Sequence, residues 1–396
     1  MFTKKLAISL LATASLVVGT TAAQAATPPA VEWSASYDAG GYEHFHSVVQ
    51  TVDGGYAGVG GNYLMQTDAV GNLVWAVQNA AELMCIKKVS GGGFIVSGYL
   101  GNNAYLAKYD DAGTLLWEQQ FAQARRASTV QPTKDGGYIV SGYVNNGSAT
   151  GEDMWLLKVD ATGNFQWEKT FGGAKADIPG EFDNALQQTS DGGYILAGTS
   201  WSYATQPYTS DVYVVKTDAY GNLKWQKTYG GTQTDMGNAV QQTTDGGYII
   251  AGRYQTSTSN DAYLIKTDTF GNSQWQKIYG GSSYTDAAHT VFQTSDGGYL
   301  LGGYYSFDYT DFDMYLVKTT STGAISWQNA YGGNLGEFLY TLNQTADGGY
   351  VLGGYTETFA TTNRDYFLVK LGTAGALAQS TTGDKAAPQI MVRSIQ

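Results

Sequence analysis

The chain predicts an all-β fold, a seven-bladed β-propeller with four antiparallel strands per blade. Three observations lead there. One turn motif recurs seven times along 396 residues. A tryptophan motif recurs in step with it. The two ends of the repeated region are complementary fragments of one repeat. A period of roughly 50 residues with strand-forming composition marks blades rather than helical repeats.

The turn motif reads Asp-Gly-Gly-Tyr and starts at Asp53, Asp135, Asp191, Asp245, Asp296 and Asp347. A degenerate copy, Gly91-Gly92-Gly93-Phe94, fills the gap after the first. The tryptophan motif reads Trp-Gln-Lys-Thr-Tyr-Gly-Gly from Trp225 and Trp-Gln-Lys-Ile-Tyr-Gly-Gly from Trp275. Its equivalents are Trp33, Trp75, Trp117, Trp167 and Trp327.

Each repeat reads as four strands, named a to d in chain order. In the fifth, residues 238–244 form strand a, and Asp245-Gly246-Gly247 makes a tight turn in which glycine supplies the positive φ. Residues 248–254, 261–268 and 273–279 form strands b, c and d. These runs are rich in Tyr, Val, Ile and Thr and are punctuated by Gly and Asp, as hairpins require. The mature chain shows no sustained helical periodicity. Residues 33–41 are a strand d with nothing before it, and residues 365–371 are a strand c with no tryptophan strand after it. The N-terminal strand therefore completes the last blade and removes a free sheet edge.

Residues 1–26 read as a secretory signal. Lys4 and Lys5 precede an apolar run from Leu6 to Gly19, and Ala23-Gln24-Ala25 is a small-x-small cleavage site. That run falls short of the roughly 20 residues that span a bilayer, so no membrane span is expected. The mature protein is expected to be secreted or periplasmic and monomeric. The propeller occupies residues 27–379, and residues 380–396 form a flexible tail.

Composition narrows the chemistry. One Cys makes no disulfide within the chain and no thiolate zinc cage. A net charge of −12 argues against nucleic acid. Gly-x-Ser-x-Gly, His-Glu-x-x-His and phosphate-loop motifs are all absent. No cofactor is implied and no catalytic set stands out. The repeated Trp, and the Lys that recurs in strand c, read as blade-building residues.

The motifs resemble those of bacterial secreted β-propeller repeat proteins, whose copies carry DGGY, an Asp-Tyr-Leu-Val-Lys strand, Gly-Asn-x-x-Trp and Gly-Gly. The resemblance covers Trp33 to about Leu371. It implies export and an envelope or surface role, with binding more often suspected than catalysis. The second repeat departs most, lacking both Asp-Gly-Gly-Tyr and Tyr-Gly-Gly.

Two features carry the functional expectation. Counting eight residues back from the end of each strand a gives Glu43, Glu82, Arg125, Glu181, Asp235, Asp286 and Glu337, a ring at the mouth of the central channel. Such carboxylates either attract cations or accept backbone N–H groups in their own turns. Recurrence favours the second role, in which calcium leaves the fold unchanged. Arg125 breaks the ring and is expected to pair with neighbouring acids. Three positions further on, His46 and Cys85 lie in adjacent blades, but whether any metal binds is left open.

The second feature is the set of b–c loops on the same face. They are short in the first two blades and aromatic later, with Trp201, Tyr203 and Tyr208, then Tyr305, Phe307 and Tyr309. These rings either offer a platform to a glycan or protein partner or fold back over the blade edges. The function expected is a non-catalytic binding module on this face. The alternatives are a polysaccharide-cleaving enzyme using the channel-mouth acids, or a structural envelope protein.

Overall fold

The computed structural model describes residues 27–145, 147, 151–280, 285–306, 312–360 and 363–374, together with the backbone of Met391–Arg393. The signal segment, most of the tail, Phe307 and Tyr309 lie outside the described residues. Among the described residues every regular element is a β-strand.

The strands form four-stranded antiparallel units in chain order. Ser47–Gln50, Tyr56–Gly60, Tyr63–Thr67 and Leu73–Gln78 make the first, and Glu82–Lys88, Phe94–Leu100, Asn103–Tyr109 and Leu115–Phe121 the second. Arg126–Pro132, Tyr138–Asn145, Glu152–Val159 and Phe165–Phe171 follow. In the fourth unit Tyr194–Ser200, Asp211–Thr217 and Leu223–Tyr229 pair with a first strand broken into Asp177–Pro179 and Leu186–Gln188. The fifth holds Met236–Gln242, Tyr248–Gln255, Asn260–Thr267 and Ser273–Tyr279, and the sixth Thr285–Gln293, Tyr299–Ser306, Phe312–Thr319 and Ile325–Gly332. One parallel partner pair, Asn260 with Thr285, joins these two into a larger sheet. Met391–Arg393 extends it by pairing with the 330–332 end of Ile325–Gly332. The final unit holds Glu337–Gln344, Tyr350–Thr356 and Asp365–Leu371, and its fourth strand is Val31–Tyr37 from the other end of the chain.

The repeated residues build these units. In five of the six DGGY turns the Asp accepts from the strand-c Lys of its own unit: Asp135 with Lys158, Asp191 with Lys216, Asp245 with Lys266, Asp296 with Lys318 and Asp347 with Lys370, at 2.7–3.0 Å. Each of these ammonium groups is nearly buried. Carboxylate and ammonium recur together because the Lys, almost buried, would be left a desolvated charge without its carboxylate, whereas the Asp is more than half exposed. The first unit keeps Asp53 but has Gln66 at the lysine position, and the second keeps Lys108 but lacks the Asp.

The tryptophans weld one unit to the next. Trp225 packs its edge on the DGGY tyrosine of the following unit, Tyr248, with centroids 5.7 Å apart. The same ring covers Gly271 at φ +75°, where a Cβ would lie 2.8 Å from it. Trp33 repeats this on Tyr56 at 5.6 Å and on Gly71, so the strand that completes the last unit packs against the first. Asn343 Nδ2 donates to Val48 O at 2.7 Å across the same seam.

Candidate functional site

The d–a connections place the acidic positions. In the Tyr-Gly-Gly mark, the second glycine N–H donates to the acid four residues on: Gly231 to Asp235 at 2.6 Å, Gly173 to Asp177 at 2.7 Å and Gly333 to Glu337 at 2.5 Å. Asp235 also accepts from Gln255 N at 2.8 Å, and Glu337 from Thr358 N at 3.1 Å. These three acids therefore bond backbone N–H groups of their own turns. All three are fully buried.

The ring position in the fourth unit is Asp177, and Glu181 does not belong to it. Five other inner strands carry one bulged residue at a common place, for example between Gly237 and Ala239. In the fourth unit, residues 180–184 stand out between Pro179, opposite Gly198, and Leu186, opposite Leu196. Counting back from the strand end runs across this insertion and lands four residues too late.

Each buried acid also faces a second one, at the start of strand c in the preceding unit. The pairs are Asp153 with Asp177, Asp211 with Asp235, Asp261 with Asp286, and Asp313 with Glu337. The first glycine of the mark makes room for them: a Cβ on Gly230 would lie 2.6 Å from Asp235 Oδ2 and 2.7 Å from Asp211 Oδ1. Burial, reinforced by the Asp261 charge, pushes Asp286 up to about 8. Burial likewise raises Asp211, Asp235 and Asp261. Arg125 stands where the second unit has no such acid, and it pairs with Glu152 at 3.6 Å while more than half exposed.

The inserted residues 180–184 reach the inner strands of every other unit. Asp183 accepts from Ser47 Oγ at 2.8 Å, Cys85 Sγ at 3.2 Å, Lys87 Nζ at 2.7 Å and Thr341 Oγ1 at 3.2 Å. The Phe182 carbonyl takes Thr129 Oγ1 at 3.3 Å. The Phe182 ring stacks on His289 with centroids 3.8 Å apart. Asn184 donates to Thr290 Oγ1 at 3.0 Å, and its carbonyl accepts from Val240 N at 2.8 Å. The insertion thus plugs the space that the inner strands surround. Cys85 is buried there, and burial beside Asp183 pushes its thiol up to about 12, so it is no nucleophile at neutral pH.

A cleft of about 410 Å³ opens beside the plug, over the first and second units. His44, His46, Glu82, Tyr63, Tyr99 and Arg126 line it. It stays open because the b–c turns there, at Gly61-Asn62 and Gly101-Asn102, are too short to cover it. His44 and His46 touch through their Nε2 atoms at 2.8 Å, and His44 stacks on Tyr340 at 4.8 Å. Burial and the Arg364 and Arg126 charges push His44 down to about 4. Burial, with the His44 and Arg126 charges, holds His46 well below the usual imidazole range, so both rings are neutral. Arg126 lies over the Tyr99 ring at 5.5 Å and pairs with Glu181 of the insertion at 3.0 Å.

The long-loop aromatics take several positions. Tyr203 donates from its hydroxyl to Gly172 O at 2.7 Å and packs on Tyr213 at 5.4 Å. Tyr305 is buried against Tyr315 at 5.8 Å. Trp201 is half-buried, and its backbone N–H donates to the Ala176 carbonyl at 2.9 Å. Tyr208 is 95% exposed at φ +67°, where a non-glycine residue rarely sits. Glu82 and His46 were singled out in the sequence, but His44, Tyr63, Tyr99 and Arg126 escaped the sequence reading. Arg126 sits beside the singled-out Arg125, and the signal for the cleft was the shortness of two loops.

The streptogramin B lyase structure is similar to this chain at TM-score 0.55 and 11% identity, over 86% of this chain and 98% of that one. The WD40 domain of Neurospora crassa Pan2 is similar at TM-score 0.54 and 12% identity, over 86% and 94%. WD40 repeats build propeller blades. The fold is β-propeller-like. At these identities the likeness speaks of fold alone. No protein-family model and no curated protein matches the chain.

Proposed function

We propose that this propeller is an exported, monomeric, non-catalytic binding module of seven blades, closed by the Val31–Tyr37 strand, whose loop face takes a glycan or an envelope protein. The observation that carries this reading is the cleft over the first two blades. It combines tyrosine faces, a guanidinium, a carboxylate and amides, the set that recognises sugar hydroxyls and polar protein surfaces. The plug supports binding at the mouth rather than passage through the centre, since residues 180–184 fill the space between the inner strands. Seven blades fit the reach of that plug, which touches six inner strands besides its own. Tyr208 and Trp201 extend the same face.

Asp235 and Asp286 are poor candidates for hydrolytic acids, because they are fully buried behind the turns that hold them. Glycan-array binding, together with pull-down from a native envelope, tests the proposal. Retention of a ligand without product is expected. Release of sugars from a polysaccharide panel, lost in Glu82→Gln or Asp286→Asn, would instead make the protein an enzyme.

A further inference from the structure

The junction between the last unit and the first differs from the other carboxylate junctions by one residue. Glu43 and Asp365 occupy the two acidic positions found elsewhere. Asp38, from the connection after Val31–Tyr37, adds a third. Carboxylate oxygens of Asp38, Glu43 and Asp365 all lie within 4.8 Å of one another. Asp38 is held in place because its Oδ1 accepts from Gly40 N at 2.8 Å. Glu43 is fixed through its own N–H, which donates to the Arg364 carbonyl at 3.1 Å. Only 7% of Glu43 is exposed, and its Oε2 is buried with no hydrogen-bond partner. A buried, unpartnered carboxylate oxygen in a group of three carboxylates is costly unless something positive sits among them.

We propose that Asp38, Glu43 and Asp365 bind one calcium ion, which latches the N-terminal strand and the first unit to the last. The donor set is oxygen only, which selects a hard cation. Calcium accepts several carboxylates in flexible geometry, whereas magnesium dehydrates reluctantly and is usually held by only one or two carboxylates and its own waters, so three protein carboxylates around one position favour calcium. The nearby guanidinium of Arg364 is taken by Glu357 at 2.7 Å and lies over the Tyr355 ring. Among the described residues the other junctions show no third carboxylate, so they are not calcium sites on this reasoning.

The test uses the whole mature chain after chelator treatment, with calcium and magnesium chlorides as probes. Calorimetric titration is expected to give one calcium per chain, and calcium is expected to raise Tm more than magnesium does. Asp38→Asn, at an exposed position that leaves the fold intact, and Glu43→Gln are both expected to abolish the calcium shift. Asp235→Asn, at a two-acid junction, is expected to keep it. A Tm indifferent to calcium would overturn the proposal. So would a calcium response that survives in Asp38→Asn, or one that disappears in Asp235→Asn instead.

Discussion

The first two four-stranded units and the last five share a backbone plan but use it differently. From the third unit on, strand c opens with an acid, its Lys pairs with the turn Asp, and the b–c connections are longer. In the first two units, Gly61 and Asn103 replace the opening acid, the Lys–Asp pair is incomplete in each, and both b–c turns are short. Residues that recur build the blade, and a cleft lined by His44, Tyr99 and Arg126 opens where the pattern lapses. A regular repeat leaves little surface free for anything but packing, so departures from it are where the proposed ligand would be accommodated.

The largest effect should come from breaking the seam that Val31–Tyr37 makes between the last unit and the first. Removing Val31–Tyr37 strips the outer strand from the last unit and uncovers Tyr56 and Gly71 of the first. Thermal denaturation should show a collapse of stability or an unfolded chain. A truncated protein melting within a degree of the intact one would mean that the seam contributes nothing.

Next comes the plug, which ties the two regions together. Asp183→Ala leaves Lys87 buried without its carboxylate, and loss of one partner of a buried ion pair costs about 3–5 kcal/mol. Chemical denaturation should report a loss in that range. Asp183→Asn, which keeps the hydroxyl contacts to Ser47 and Thr341, should lose less.

Within the blades, the lysines provide an internal comparison. Lys266→Met should cost about 1–2 kcal/mol, since Lys266 bonds both Asp245 and the Thr267 carbonyl. Lys108→Met, in the blade without the turn Asp, should cost less. Equal losses would show that the Lys–Asp pair is not what fixes the turn.

The smallest effect is a pH dependence confined to the later blades. Asp286 titrates near 8 when folded and near its ordinary 3.8 when unfolded, so the folded state binds the extra proton between these values. Stability should therefore fall as pH rises from about 6.5 to 8. Below about 6.5, His289, pushed down to about 4 by burial, acts in the opposite sense, because the unfolded chain then binds the extra proton. Melting curves across pH 6.5–8 should slope downward in the wild type and lie flatter in Asp286→Asn, with the variant the more stable of the two at pH 8.

Much of this was legible in the sequence because it repeats. Strand d of the fifth blade, Ser273–Tyr279, has the bounds that its motif predicts, and the Trp, Gly and Lys positions do the packing that recurrence implied. What was hidden depends on relations between blades. The partner of Asp235 is Asp211, 24 residues earlier and in the neighbouring unit, and only the angle between sheets brings the two together. The insertion at 180–184 lengthens one repeat, but length does not reveal whether extra residues enlarge an outer loop or push out of an inner strand. That choice decided whether Glu181 or Asp177 joined the acidic ring. Arg126 was passed over because Arg125 filled the counted position, while the strand pleat turns the next residue onto the cleft side.

The most direct measurement is a binding comparison on one retained ligand, taken from the glycan array or the envelope pull-down. Wild type, Tyr99→Ala and Arg126→Ala would represent the first two blades, and Tyr208→Ala the long loops of a later one. Truncation at the cleft should weaken binding at least tenfold with Tm little changed, and Tyr208→Ala should matter far less. Full binding by both cleft variants, with loss in Tyr208→Ala, would contradict the view that the site lies where the repeat breaks down.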